Sequence, residues 1–305
     1  MKTTWIPILL LLSCGPTQES EHGSPAAEAL APESPAATPL SALDGLFARA
    51  DADPAAVVPL VLEASARIPT LDGDRGHELA GRLEPYCRRA FFTPERLPDM
   101  ERLGLAVHTV RSGELPGRIA ARYRISPQLL GYLNRDYDER RLRVGQELKV
   151  LDLSIGDLSL MVDRSRYRLG AWRAVPDEPS DSGAAVGERW ILVAYLPVGL
   201  GAPETPTPTG TTRITLRAID PEWTHPVTGE VFAPGDPGNL LGGYWMALDE
   251  AGIGKRGIGL HGYTGDHPEA WLEQPMSNGC IRLRQDDIDR VFHLALEGTP
   301  VTIVP

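Results

Sequence analysis

The sequence predicts a multidomain, mainly β protein: a β-sandwich or barrel-like C-terminal half, preceded by a small βααβ module and an N-terminal helical segment. Three observations carry this. From residue 154 onward, short β-forming runs recur between turns, at 158–162, 167–171, 190–198, 211–218, 244–248, 257–261 and 301–304, the spacing of a sandwich or barrel. Glycine and proline reach 31 and 28 of 305 residues, which suits turn-rich sheet and excludes long helices throughout. Between residues 40 and 100 the apolar positions instead fall at helical intervals: Leu43, Leu46, Phe47; Val57, Leu60, Val61, Ala64; Leu79, Leu83, Tyr86.

With 42% hydrophobic residues the chain can fill one large core or two to three small ones. A net charge of −11 disfavours nucleic acid as a partner. Residues 105–150 are the exception, with nine Lys and Arg against five Asp and Glu. No internal apolar run approaches the roughly 20 residues that cross a bilayer.

The first residues read as an address. Lys2 precedes a short apolar stretch that ends in Leu11-Leu12-Ser13-Cys14, which resembles the lipobox of bacterial lipoproteins, with residues 1–14 as signal peptide and Cys14 as the lipidated residue. The Pro/Ala-rich tract over 15–40 reads as a disordered tether. The resemblance implies a lipid-anchored protein on the periplasmic face of the cell envelope, with Gly15 favouring the outer membrane. Only Cys14, Cys87 and Cys280 exist, so the sole bridge left beside a lipidated Cys14 is Cys87 to Cys280.

Residues 41–103 predict two or three short helices broken by Pro54, Pro69 and Asp72-Gly73, either a docking module or a spacer packed on its neighbour; Cys87 lies on the apolar stripe. Residues 105–151 predict β-α-α-β. Val107-His108-Thr109-Val110 alternates, 115–124 has helical spacing, Ser126-Pro127 opens a second helix as N-cap and first residue, and 146–151 closes as a strand. The run H-T-V-R-S-G-E-L, I-A-A-R-Y-R-I-S-P-Q-L-L, L-N and L-R-V-G-Q-E-L-K-V resembles a LysM domain. The resemblance implies binding to the glycan of peptidoglycan through Gly113, Glu114, Leu115, Ser126 and Pro127, with Asn134 a structural residue at a helix end. A LysM fold that only spaces its neighbours is the other reading. The Thr usual after the acidic residue is missing, and the linker 135–143 is unusually charged.

The chemistry lies beyond residue 154. A thiol accepts an acyl group only as thiolate, which needs a base or positive field nearby. Cys280, in Ser277-Asn278-Gly279-Cys280-Ile281-Arg282, and His261, in Gly259-Leu260-His261-Gly262-Tyr263, supply that pair. Gly279 permits close approach of substrate, and neighbouring N–H groups suit an oxyanion. A helix is expected over 286–296, acidic in its first turn and ended by Gly298 and Pro300.

The order H-G, fifteen residues, S-N-G-C-I-R, together with G-A-P-E-T-P-T-P-T-G at 201–210 and Gly243-Tyr244-Trp245-Met246, resembles the L,D-transpeptidase (YkuD-like) catalytic domain over residues 154–305. Asn278 departs from the His of many members. The resemblance implies a cysteine-dependent acyltransferase that uses no cofactor or metal. Cys280 would be the nucleophile and His261 its base, with the Gly262 carbonyl orienting the imidazole and the backbone of Asn278, Gly279 and Cys280 holding the oxyanion. Arg282 and Ser277 would bind substrate carboxylates or brace the nucleophile, and Tyr244, Trp245 and Met246 would line the pocket. The donor would be a tetrapeptide stem ending in diaminopimelate-D-alanine, and the acceptor an amine or water. The nucleophile role of Cys280 argues against its bridging Cys87. Residues 220–241 form a lid or a plain insertion. A papain-like peptidase would place its cysteine before its histidine, the reverse of this order; a non-catalytic wall tether is the remaining alternative.

Overall fold

The computed structural model describes residues 40–305 except 136, 155, 177–187, 226–227 and 266. Cys14, the lipobox and the tract to residue 39 lie outside the described residues. In chain order the helices are α1 (Leu40–Ala52), α2 (Val57–Arg67), α3 (Gly73–Phe91), α4 (Pro116–Arg122), α5 (Leu129–Leu133), α6 (Pro268–Trp271) and α7 (Gln285–Leu294). The strands are β1 (Leu105–Thr109), β2 (Glu147–Leu151), β3 (Leu158–Asp163), β4 (Arg168–Pro176), β5 (Glu188–Pro197), β6 (Leu200–Gly201), β7 (Gly210–Ile219), β8 (Trp223–Thr224), β9 (Val231–Phe232), β10 (Tyr244–Leu248), β11 (Gly259–Gly262), β12 (Pro275–Ser277), β13 (Ile281–Leu283) and β14 (Pro300–Val304).

The sandwich or barrel expected of the C-terminal half resolves into one mixed sheet of eight strands, ordered β13-β11-β10-β7-β14-β3-β4-β5. It curls at β7. Gly210 to Arg213 pair with β14, then Ile214 to Ile219 pair with β10, so the two halves share one long strand end to end. Helix α7 packs on β10 and β11. It ends at Leu294, two residues short of the expected Leu296, and carries the expected Asp286 and Asp287 in its first turn.

An open sheet has two edges whose unpaired backbone groups invite other strands, and both are occupied here. At β13, Arg282 exchanges both backbone hydrogen bonds with Gly199. At β5 the cover comes from side chains of the helical segment. Leu192 N–H donates to Ser65 Oγ at 3.0 Å, the Cys87 thiol donates to Leu192 O at 3.1 Å, and Tyr195 N–H donates to Glu84 Oε2 at 3.0 Å. Glu84 is held in turn by Arg290 of α7 at 2.9 Å. Of the two readings of residues 41–103, the geometry is that of a segment packed on its neighbour, and Cys87 and Cys280 are both free thiols.

The βααβ module forms as expected, with β1 and β2 antiparallel, Leu105 opposite Leu151. Asn134 ties the end of α5 to β2 through both faces of its amide, donating to Leu130 O and Lys149 O and accepting from Lys149 N–H. Two buried cations fix the module to its surroundings. Arg173 of β4 donates to Gly104 O and Asp152 O, just outside the module's two strands. Lys149, fully buried, donates to Ala90 O, Thr93 O and Glu95 O, carbonyls at and beyond the C-terminal end of α3. That is where a cation satisfies acceptors the helix cannot.

Burial pulls the Lys149 ammonium down to about 8. Lys149→Met strips three carbonyls of their donor and is expected to cost about 2–4 kcal/mol in urea unfolding at pH 7. From pH 8 up to the ordinary lysine range, the unfolded chain holds more protons at this site than the folded one. Wild-type stability should therefore gain about 3 kcal/mol from this site across that window. The variant should lack that gain.

Candidate active site

Two neighbouring strands build the floor of the site. β11 runs parallel to β13, with Leu260 opposite Ile281 and His261 opposite Arg282. Because side chains alternate along a strand, Leu260 and Ile281 enter the core, both fully buried. His261 and Arg282 take the other face, and Cys280, two residues before Arg282, opens onto the same pocket. On the far side of β11, Trp245 of β10 lies opposite His261, ring centroids 5.8 Å apart.

A ring nitrogen and a carbonyl can share a hydrogen bond only if the nitrogen carries the proton. His261 Nδ1 therefore donates to the Gly262 carbonyl, as expected of that carbonyl, and Nε2 is left as the basic nitrogen. A Cβ at Gly262 would fall 2.4 Å from the Gln285 amide, so glycine there lets α7 close in behind the histidine.

The nucleophile turn is braced by hydroxyls. Ser277 is 2% exposed; its Oγ donates to Cys280 O at 2.6 Å and accepts from Gly279 N–H at 3.1 Å. Of its two expected roles, the geometry is that of the brace. The same bond commits the Gly279 N–H, expected at the oxyanion, to Ser277. Ser277 O accepts from Ala202 N–H at 2.8 Å and from Thr205 Oγ1 at 3.0 Å, so the T-P-T-P segment buttresses the turn. Gly279 has φ +114°, a region L side chains avoid.

The resting thiol donates to Gly257 O at 3.5 Å, so its hydrogen bond goes to the pocket rim and not to His261. Burial pulls the His261 imidazolium down to about 4, assisted by the charge of Arg282 and opposed by the bond to Gly262. Burial pushes the Cys280 thiol up, and Arg282 and Lys255 pull it back. Thiol and imidazole are thus both neutral at pH 7, the pairing of an acid and a base that general base chemistry requires.

A pocket of about 540 Å³ stands over the pair, within the size range of small-ligand sites. Residues 221–225 with 240 and 241 are part of its lining, so the 220–241 segment borders the cleft. It is organised by Trp223 stacked on Phe232, centroids 5.4 Å apart, and by Asn239, whose amide donates to Pro221 O at 2.8 Å. Lys255 and Arg256 line it as well. Neither they nor Trp223 and His225 as lining residues were marked by any sequence motif. Arg282 lies with its guanidinium 4.0 Å from the Tyr263 ring centroid. Among the described residues no three His, Cys, Asp or Glu side chains gather as a metal site.

Residues 160–303 match the model of the L,D-transpeptidase catalytic domain. Residues 108–151 match that of the LysM domain. The chain is 31% identical over 106 residues to the putative L,D-transpeptidase YqjB of Bacillus subtilis, covering 35% of this chain and 56% of that protein. It is 25% identical over 203 residues to the putative L,D-transpeptidase YkuD of Bacillus licheniformis, covering 66% of this chain and all of that protein. Among solved structures, an L,D-transpeptidase of Mycobacterium tuberculosis aligns with a TM-score of 0.34 at 19% identity, covering 49% of this chain and 58% of that one.

Within the L,D-transpeptidase domain, two residues expected in the pocket face elsewhere. Tyr244 and Met246 flank Trp245 on β10 and by alternation point to the opposite side. Met246 is fully buried in the core, and Tyr244 packs on Phe292 of α7, centroids 4.6 Å apart. Of the three, Trp245 alone lines the pocket. In the LysM domain, Ser126 is corrected likewise. Its hydroxyl closes the turn ahead of α5 by accepting from Leu129 N–H and donates to His293 O of α7, so it is spent on protein partners at 4% exposure, and the N-cap position of α5 falls to Gln128. That helix starts at Leu129, not at Pro127. Glu114 accepts from Arg111 N–H at 2.7 Å and pairs with His108 at 2.9 Å, which shapes the turn. Gly113 and Pro127 are solvent-accessible, and Leu115 is 59% exposed.

Gly279→Ala would place a methyl group 2.8 Å from Lys255 Nζ and 2.9 Å from Ile258 Cδ1 at a positive φ. The expected cost is about 1–3 kcal/mol of unfolding free energy. Thiol reagents should also label Cys280 more slowly in the folded variant, as site-resolved mass spectrometry would show.

Proposed function

We propose that the protein is a peptidoglycan L,D-transpeptidase of the cell envelope, held at the membrane through a lipid on Cys14 and at the wall by its LysM domain. The observation that carries the catalytic part is that His261, on β11, and Cys280, in the turn that leads directly into the parallel neighbour β13, line the same accessible pocket.

In this reading Cys280 Sγ loses its proton to His261 Nε2 and bonds to the carbonyl carbon at the L-centre of a diaminopimelate residue. The peptide C–N bond to the terminal D-alanine then breaks. The departing amine takes the proton back from the imidazolium, leaving a thioester. An acceptor amine, from a second diaminopimelate side chain or a protein lysine, attacks that thioester, gives its proton to His261 and releases the thiolate; water in its place gives a carboxypeptidase. The Cys280 N–H and the Asn278 backbone face the developing oxyanion, since the Gly279 N–H is engaged by Ser277. Arg282, Lys255 and Arg256 make a cationic rim suited to the carboxylates of the stem. The exposed Gly113 and Leu115 and the half-buried Pro127 form the glycan-facing side of the LysM domain.

Sacculi from cells expressing wild type or Cys280→Ala, digested and read by mass, test the proposal. Wild type should produce 3-3 cross-linked or D-alanine-trimmed muropeptides that the variant does not. Identical profiles, with wall pull-down retained, would instead favour a non-catalytic tether. Because protonation of His261 removes the base, the acid limb of kcat/KM should fall as pH drops through about 4, rather than near the ordinary histidine value of about 6.5.

A further inference from the structure

The turn between Ile253 and β11 comes up against the Cys280 turn at the pocket. Glycines with left-handed φ stand at Gly254 and Gly257, +68° and +72°, and reverse the chain sharply enough to bring two different groups to Cys280. The first is the Gly257 carbonyl, which accepts the thiol proton at 3.5 Å. The second is the half-buried Lys255 ammonium, which donates to Asn278 O at 3.4 Å. It stands so close over the Gly279 peptide that a Cβ there would fall 2.8 Å from Nζ.

We infer that Lys255 acts with Arg282 to set the reactivity of Cys280: its ammonium, lying over the peptide that precedes the sulfur, helps to hold the thiolate once the thiol has given up the proton it shares with Gly257 O. The assignment rests on Cys280 being the nucleophile of the proposed function and adds a residue that no motif of the sequence marks.

The other charged groups around the sulfur come from every element packed on it. His261, from β11, is buried and neutral at pH 7 and supplies no standing charge. Arg282, from β13, stacks on Tyr263, keeps its charge and pulls on the Cys280 thiol in the same sense, ahead of Lys255. Arg256, beside Lys255 in the same turn, is paired with Glu250 at 2.9 Å. The 220–241 segment presents Glu222 and His225. Among the described residues no carboxylate pairs with Lys255, so its charge is not cancelled locally. In a partly desolvated pocket a nearby positive charge favours a thiolate over a thiol, and the pull of Lys255 on the Cys280 thiol has that sign.

The test is alkylation of the full-length protein by iodoacetamide, an uncharged reagent, followed by peptide mass spectrometry that reads Cys280 and Cys87 separately. The thiolate forms a thioether and expels iodide, so the rate reports the ionised fraction and needs no peptidoglycan. A failed muropeptide assay and a failed alkylation assay are therefore distinguishable. Lys255→Met should slow Cys280 alkylation at pH 7.5 about tenfold and move its pH profile up by about one unit, the equivalence set by proton linkage. Lys255→Arg should recover most of the rate. A Lys255→Met profile that overlays wild type overturns the proposal, and so does an Arg variant as slow as Met. Should Lys255→Met expose Cys87 to the reagent and so reveal unfolding, Lys255→Gln decides. With Cys87 still protected it should slow Cys280 alkylation as Lys255→Met does, and a Lys255→Gln profile that overlays wild type overturns the assignment.

Discussion

The parallel pairing of β11 with β13 is the constraint on which the site depends. Its register places Leu260 and Ile281 in the core and His261 and Arg282 on the pocket face. With a period of two, a slip of one residue would drive the histidine into the core and lift a leucine into the pocket. Strands of four and three residues cannot hold such a register alone. The brace comes from outside them: Gly199 bonded to both backbone groups of Arg282, Ser277 tied to Cys280 and Gly279, and the Thr205 hydroxyl on Ser277 O. The local cost of a left-handed Gly279 is met by these surroundings.

The same preference for cations on backbone carbonyls recurs through the chain. Lys149 and Arg173 are buried, yet their charges fall on five carbonyl oxygens rather than on carboxylates. A carbonyl satisfies the donor without neutralising it. In the interior that arrangement joins segments distant in sequence. At the pocket, Lys255 on Asn278 O likewise keeps its positive charge beside Cys280.

Much of this was legible in the sequence where periodicity or a dense motif speaks. The stripes at 57–64 and 79–86 became α2 and α3, and the βααβ module closed as its pattern required. His261 and Cys280 were recognisable because two short motifs had to occur together in one order. The failures have local causes. The aromatic run at 244–246 was taken as a block, although alternation allows only one of the three to face the pocket. Ser126 was read as the N-cap, but α5 starts at Leu129 with Gln128 in that position, and a serine ahead of a helix reads the same whether it meets sugar or His293 O. β13 is three residues long, below any pattern. Lys149 and Lys255 are single lysines among 30 basic residues, and what distinguishes them is partners 23 to 59 positions away.

The cover of β5 bears on how such a chain can be cut or recombined. The family match begins at residue 160, but three hydrogen-bonding groups of β5 are completed by Ser65, Glu84 and Cys87. A catalytic unit transplanted by its matched residues alone would therefore arrive with a bare strand, ready to associate with its own kind. The smallest transferable piece is larger than the homology suggests, and the helices ahead of residues 108–151 travel with the eight-stranded sheet as part of its fabric.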